Sequence, residues 1–264
     1  MKKRSIILLV LAAVLALSAC DLSIPPEYNA TTESSAPTET QPLTDPSTEP
    51  TEATTLPPHS ALYIPGLSVE DVITYFNEVC LDAEFNNNGD PSQVQKWTVP
   101  IAYTLYGTPT GADLSLLEEF TGWLNTIEGF PGIGETDDPW KANLRIHFCS
   151  QQELLALMGS NFENVDGGVT FWYMDNEIYD AIICYRTDLN QYLRNSVILE
   201  EIYNGLGPIQ DTALRPDSII YSGFSDPQQL TEIDELILKL LYHPLILCGM
   251  NAAECEAVIR QLYY

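Results

Sequence analysis

Apolar residues recur at helical spacing over Val72, Tyr75, Phe76 and Val79, just after Ser68-Val69-Glu70-Asp71, which has the form of a capping box. The pattern predicts a helix over 68–84, followed by a polar loop at Asn86-Asn87-Asn88-Gly89-Asp90. Residues 98–106 read as a strand. Residues 113–128 read as a helix with Leu116, Leu117, Phe120, Trp123, Leu124 and Ile127 on its apolar side, ended by a loop rich in Gly and Pro over 129–139. Residues 143–149 alternate as a strand, and Ser150-Gln151-Gln152-Glu153 caps a short helix to Met158. Two further strands, 168–175 and 178–185, meet across Asp175-Asn176-Glu177 as a hairpin. Three helical pieces close the chain: 196–206, 231–242 behind Thr231-Glu232-Ile233-Asp234, and one opened by Asn251-Ala252-Ala253-Glu254.

Strands with interspersed helices followed by an all-helical end predict an α+β domain over 61–264, with a mixed, mainly four-stranded sheet and helices on one side. About 200 residues suffice for one sizeable core and are too few to suggest two.

Before residue 61 the pattern changes character. Met1-Lys2-Lys3-Arg4 and an apolar run from Ile6 to Leu17 have the organisation of a secretory signal peptide over 1–19, too short to span a bilayer. Ser18-Ala19-Cys20 resembles the bacterial lipobox, which implies acylation of the Cys20 thiol and anchoring to a membrane. An ordinary signal peptide or a short membrane anchor is the alternative. Residues 20–60 are Thr, Pro, Ser and Glu, with seven acids after Cys20 and no Lys or Arg, a composition that predicts a disordered linker. A flexible coil of about 40 residues has ends roughly 35 Å apart. The expected location is the extracytoplasmic face of a membrane.

Charge and cysteines narrow the partners. With 11 basic and 37 acidic residues the formal net charge is −26, and three of the bases leave with the signal peptide. Such a chain is excluded from nucleic-acid binding and gains nothing from anionic headgroups, so a lipid must do the anchoring. Five cysteines remain, Cys80, Cys149, Cys184, Cys248 and Cys255, without Cys-x-x-Cys spacing. Cys149 with Cys184 and Cys248 with Cys255 are possible bridges, and five small buried hydrophobes are an equal alternative.

The chemistry-bearing stretch is Glu200-Glu201-Ile202-Tyr203-Asn204-Gly205-Leu206-Gly207-Pro208-Ile209-Gln210-Asp211. Its frame resembles the zinc-binding helix of metzincin proteases, His-Glu-x-x-His-x-x-Gly-x-x-His. The resemblance implies a zincin-like fold, with Glu201 as the catalytic base, Gly207 at the turn, and Glu200, Asn204 and Gln210 in the three ligand positions. Ser218-Ile219-Ile220-Tyr221 falls where that family has its Met-turn. Amides are poor zinc ligands, so the histidine set is lost and no metal or cofactor is expected. An oxygen-only set from Glu200, Asn204, Gln210 and Asp211 would suit calcium or magnesium better. Residues 68–262 also resemble a bacterial lipoprotein family known as domain of unknown function 2927. That resemblance rests on Tyr75-Phe76-Asn77, Lys96-Trp97-Thr98-Val99-Pro100, Leu199-Glu200-Glu201, Asp217-Ser218-Ile219, Leu230-Thr231 with Asp234, Leu241-Tyr242 and Gly249-Met250.

Two functional expectations follow. One is a zincin-like frame without catalysis whose groove, formed by Glu200, Asn204, Gln210 and Asp211, binds a peptide or an envelope component. The other is a noncanonical metallohydrolase with Glu201 as general base. His147 and His243 have no ligand spacing and are expected in core or surface roles. Phe171, Trp172, Tyr173 and Tyr179 form an aromatic face on the hairpin or simply alternate in a half-buried sheet.

Overall fold

The structure is a computed structural model that describes residues 60–81, 93–223 and 227–264. The leader, Cys20, the linker up to residue 59 and the Asn-rich loop at 86–90 lie outside the described residues.

The elements in chain order are α1 (Val69–Leu81), β1 (Lys96–Trp97), β2 (Ile101–Gly107), α2 (Gly111–Leu124), β3 (Ile133–Glu135), β4 (Leu144–Cys149), α3 (Gln151–Met158), β5 (Gly167–Met174), β6 (Glu177–Arg186), α4 (Gln191–Gly205), α5 (Glu232–Leu241) and α6 (Ala252–Tyr263). The six strands form one sheet in the order β1-β6-β4-β2-β3, with β5 along the other side of β6. All pairings are parallel except β5 with β6. Glu177 and Ile178 pair with β5 and with β1, so β1 and β4 share the opposite side of β6, and β5 is an edge.

The expected architecture needs three corrections. The sheet has six strands, not four. β1 lies just before the expected strand 98–106 and is separated from β2 by Pro100, which has no amide hydrogen, and β3 lies within the expected loop 129–139. The Asn125 side chain holds β3 by bonding both the amide and the carbonyl of Ile133. Helices and strands alternate around a mainly parallel sheet, so the domain is a mixed α/β layer structure and not a segregated α+β one. Finally, helices cover both faces. A Cβ on Gly167 would lie 2.6 Å from Val197 and 3.0 Å from Glu201, both in α4, whereas one on Gly168 would lie 2.5 Å from Phe162, beyond α3. Neighbouring strand residues point to opposite faces, so α4 and the α3 segment flank β5 from two sides. Two adjacent glycines are what let both approach.

The main core is the face carrying Leu144, Ile146, Phe148, Ala181, Ile183, Tyr185, Val169 and Phe171, packed with α1, α4 and α5. A satellite core of Cys149, Leu154, Met158, Phe162, Val165 and Cys184 lies under α3. The aromatic residues of the hairpin do not form one surface. Phe171 is buried in the main core, Trp172 lies on the other face beneath the Arg145 guanidinium, 5.9 Å from the ring centre, and Tyr179 is exposed. No helix of the described residues is long and apolar enough to cross a membrane.

Candidate functional site

The candidate site is built on α4. The helix begins five residues earlier than the apolar pattern suggests, because the Asn190 side chain accepts the Leu193 amide as an N-cap. Its far end is fixed by donors from distant elements. Trp97 Nε1 donates to the Gly205 carbonyl at 2.9 Å and the Tyr242 hydroxyl donates to the Leu206 carbonyl at 2.7 Å, satisfying helix-end acceptors that have no partner within the helix. Beside them Lys96 is buried with its ammonium on the carbonyls of Leu241 and Ile246, at 2.7 and 2.5 Å, and so closes the end of α5. Burial lowers its pKa. Lys96 and Trp97 are clamps on helix ends, not ligand contacts.

Gly207, at φ +130, completes the turn after α4, and a Cβ there would meet the Gln95 carbonyl oxygen at 2.6 Å. Backbone approaches backbone at this point, and no side chain fits. From the turn the chain reaches Gln210, whose amide donates to the Val79 carbonyl of α1.

Glu200, Glu201 and Asn204 are all buried, at 4 %, 1 % and 0 % exposure. Their directions follow from what α4 touches. Val197 and Glu201 press on Gly167 of β5, and a Cβ on Gly205 would lie 3.2 Å from Ile183 of β6 and 3.4 Å from Val169. At about 100° per residue, Glu200 and Asn204 then fall on a flank of α4 to one side of Glu201. Glu201 itself is packed along the strand. It lies close enough to Tyr185 to add to the burial that raises that residue's pKa.

Asn204 is the unusual member. Neither its Oδ1 nor its Nδ2 has a hydrogen-bond partner, and neither does Oε1 of Gln210, although Gln210 Nε2 donates to the Asp211 carbonyl. A buried amide with both ends unsatisfied is destabilising by roughly 1–3 kcal/mol and calls for a reason. Gln210 and Asp211 are half-buried on the loop past the turn. The sequence frame therefore brings Glu200, Glu201 and Asn204 together on one helix. Among the described residues no group of three or more His, Cys, Asp or Glu side chains is placed to hold a metal ion. Three cavities among the described residues, of about 220, 340 and 430 Å³, are not lined by Glu200, Glu201, Asn204, Gln210 or Asp211, and the second takes Leu199 of α4 together with α2 and α5.

Below the helix, Ser218-Ile219-Ile220 is buried and held by Asp234. The Asp234 carboxylate accepts from the Ser218 hydroxyl at 2.6 Å, the Ile219 amide at 3.2 Å, and the amide and hydroxyl of Thr231 at 3.0 and 2.7 Å. Tyr75 of α1 donates to Ser218, and Tyr203 of α4 donates to the Asp234 carbonyl. Sequence reasoning saw Asp234 only as a helix cap. The histidines stand apart from the site: His147 stacks on Tyr106, ring centres 4.5 Å apart, with its pKa lowered by burial, and His243 accepts the Leu245 amide.

The sequence model of a family described as Protein of unknown function (DUF2927) matches residues 69–261. No curated protein and no solved structure matches the chain.

Proposed function

The chain belongs to that family of unknown function, and from this premise we propose that the domain is a zincin-like frame without catalysis that binds an extended peptide along β5, at the surface of a membrane to which Cys20 anchors it. The observation that carries this reading is β5. It is the antiparallel edge of an otherwise parallel sheet, and the helix with the metzincin-like spacing follows directly on its hairpin. An edge strand offers a row of backbone donors and acceptors for a further strand. A peptide added there runs beneath the flank of α4 that carries Glu200 and Asn204. The unsatisfied Asn204 amide, one donor and one acceptor, is suited to a peptide group.

The order strand, helix, strand, hairpin, motif helix supports the zincin-like reading. Asn204 and Gln210 at two of the three ligand positions favour binding over zinc catalysis, because amides are poor zinc ligands.

Asn204→Leu separates binding from folding. Replacing an unsatisfied buried amide by an apolar group of similar size is expected to leave stability unchanged or raise it by about 1–2 kcal/mol. Phage-displayed random dodecapeptides panned on the full chain are the probe. Selected peptides should bind the Asn204→Leu variant at least tenfold more weakly and protect β5 amides from hydrogen exchange. Failure to select any peptide, or peptides indifferent to Asn204→Leu, would refute the binding reading.

Anchoring is tested separately. The full-length protein expressed in a bacterium is expected to partition into detergent and to incorporate labelled palmitate, and Cys20→Ala to lose both. Equal labelling of the variant would remove the anchor assignment.

A further inference from the structure

The satellite core holds two of the free cysteines, and the sheet brings them together. In the parallel pairing of β4 with β6, His147 lies opposite Cys184 and Cys149 opposite Arg186. Cys149 is two residues beyond His147, so it shares a face with Cys184 and sits one pleat away. Both side chains are buried among Leu154, Met158, Phe162 and Val165, and both are free thiols. The other cysteines are placed differently. Cys80 is buried in the main core, and Cys248 donates to the Lys96 carbonyl.

The two thiols are not equivalent. Cys149 is the last residue of β4 and immediately precedes Ser150, the N-cap of α3, so its sulfur lies near the positive end of a helix dipole. It is 6 % exposed and Cys184 not at all.

We propose that Cys149 and Cys184 are a redox pair, a dithiol that an external low-molecular-weight disulfide converts into a bridge between β4 and β6. Cys149 is the attacking thiol. Its thiolate displaces one thiolate from the external disulfide and forms a mixed disulfide. Cys184 then gives up its proton, attacks the Cys149 sulfur and expels the second thiolate. Two protein thiols are oxidised and one external disulfide is reduced to two thiols, so electrons and atoms balance. The neighbouring Cys184 thiol lowers the pKa of Cys149, against burial and the nearby Glu153. The greater exposure of Cys149 and its place just before the N-terminus of α3 match an attacking cysteine. A disulfide needs its Cβ atoms about 3.8 Å apart, closer than strands normally stand, so Cys149, whose carbonyl accepts from the Thr187 amide and hydroxyl, must move toward β6 as the bridge forms.

The test uses the full chain, reduced and then incubated with oxidised glutathione at neutral pH. Remaining thiols are alkylated, and the protein is digested without reduction for mass spectrometry. A peptide linking Cys149 to Cys184 is expected, with the oxidised protein melting roughly 5–10 °C higher. Cys184→Ser should stop at a stable glutathione adduct on Cys149, and Cys149→Ser should give no adduct on Cys184. Links among other cysteines, alkylation of both thiols on unfolding, or an adduct first on Cys184 would each overturn the proposal. Because the readout is a covalent link, it stands or falls independently of peptide binding at β5.

Discussion

Asp234→Ala is expected to destabilise the domain by about 3–5 kcal/mol and lower its Tm by roughly 10–15 °C. Four donors end on this carboxylate, from Ser218, Ile219 and both groups of Thr231, and alanine leaves them without an acceptor in the interior. The loss spreads beyond one contact. Ser218 also receives the Tyr75 hydroxyl, so α1, the Ser218 turn and the start of α5 are joined through a single side chain. Asp234→Asn, which keeps one acceptor, should lose less than half as much. Urea unfolding of the full chain measures both, and a loss under 1 kcal/mol for the alanine variant would show that the network contributes little.

The same residue gives a pH dependence of defined sign. Burial raises the Asp234 pKa above the ordinary 3.8, more than its hydrogen bonds lower it. The folded state therefore holds a proton that the unfolded state has released in the window between the two values. Stability from this group is fully present below the unfolded value and is lost as pH rises through the raised folded value. The advantage of the wild type over Asp234→Asn should shrink across that window and stay constant above it. An advantage that grows with pH would reverse the assignment.

What the sequence revealed follows the range of the interactions involved. The capping boxes at Thr110 with Asp113, Ser150 with Glu153, Thr231 with Asp234 and Asn251 with Glu254 are three residues apart, and the last three were read correctly. Lys96 and Trp97 could not be read. Their acceptors are backbone carbonyls at positions 205, 241 and 246, more than a hundred residues away and carrying no side-chain signature. β1 and β3, of two and three residues, are too short to display a period. The second covered face escaped notice because the satellite core draws single residues from several elements. At the site, spacing alone placed Glu200, Glu201 and Asn204 on one helix. That Glu201 is pressed into the gap left by Gly167 depends on how α4 is docked.

That docking rests on a buried ion pair, and here the second large effect is expected. Arg194, in the first turns of α4, pairs with Asp113 of α2, which is wholly buried and also accepts from the Thr110 amide and from Gln191 Nε2. Arg194→Met leaves the Asp113 carboxylate in the interior without its cation, and the expected loss is about 3–5 kcal/mol. Asp113→Asn in the same chain removes the stranded charge while keeping an acceptor for Thr110. The double variant should therefore recover at least half of that loss, with a coupling of about 1.5–3 kcal/mol in a double-mutant cycle. Additive losses would mean that each residue acts alone. Because the pair ties the start of α4 to α2, Arg194→Met should also speed hydrogen exchange in the first turns of the helix. Peptide binding at the Asn204 flank should weaken in the single variant and return in the double one. Restored stability without restored binding would show that the pair sets the position of the helix and not merely its presence.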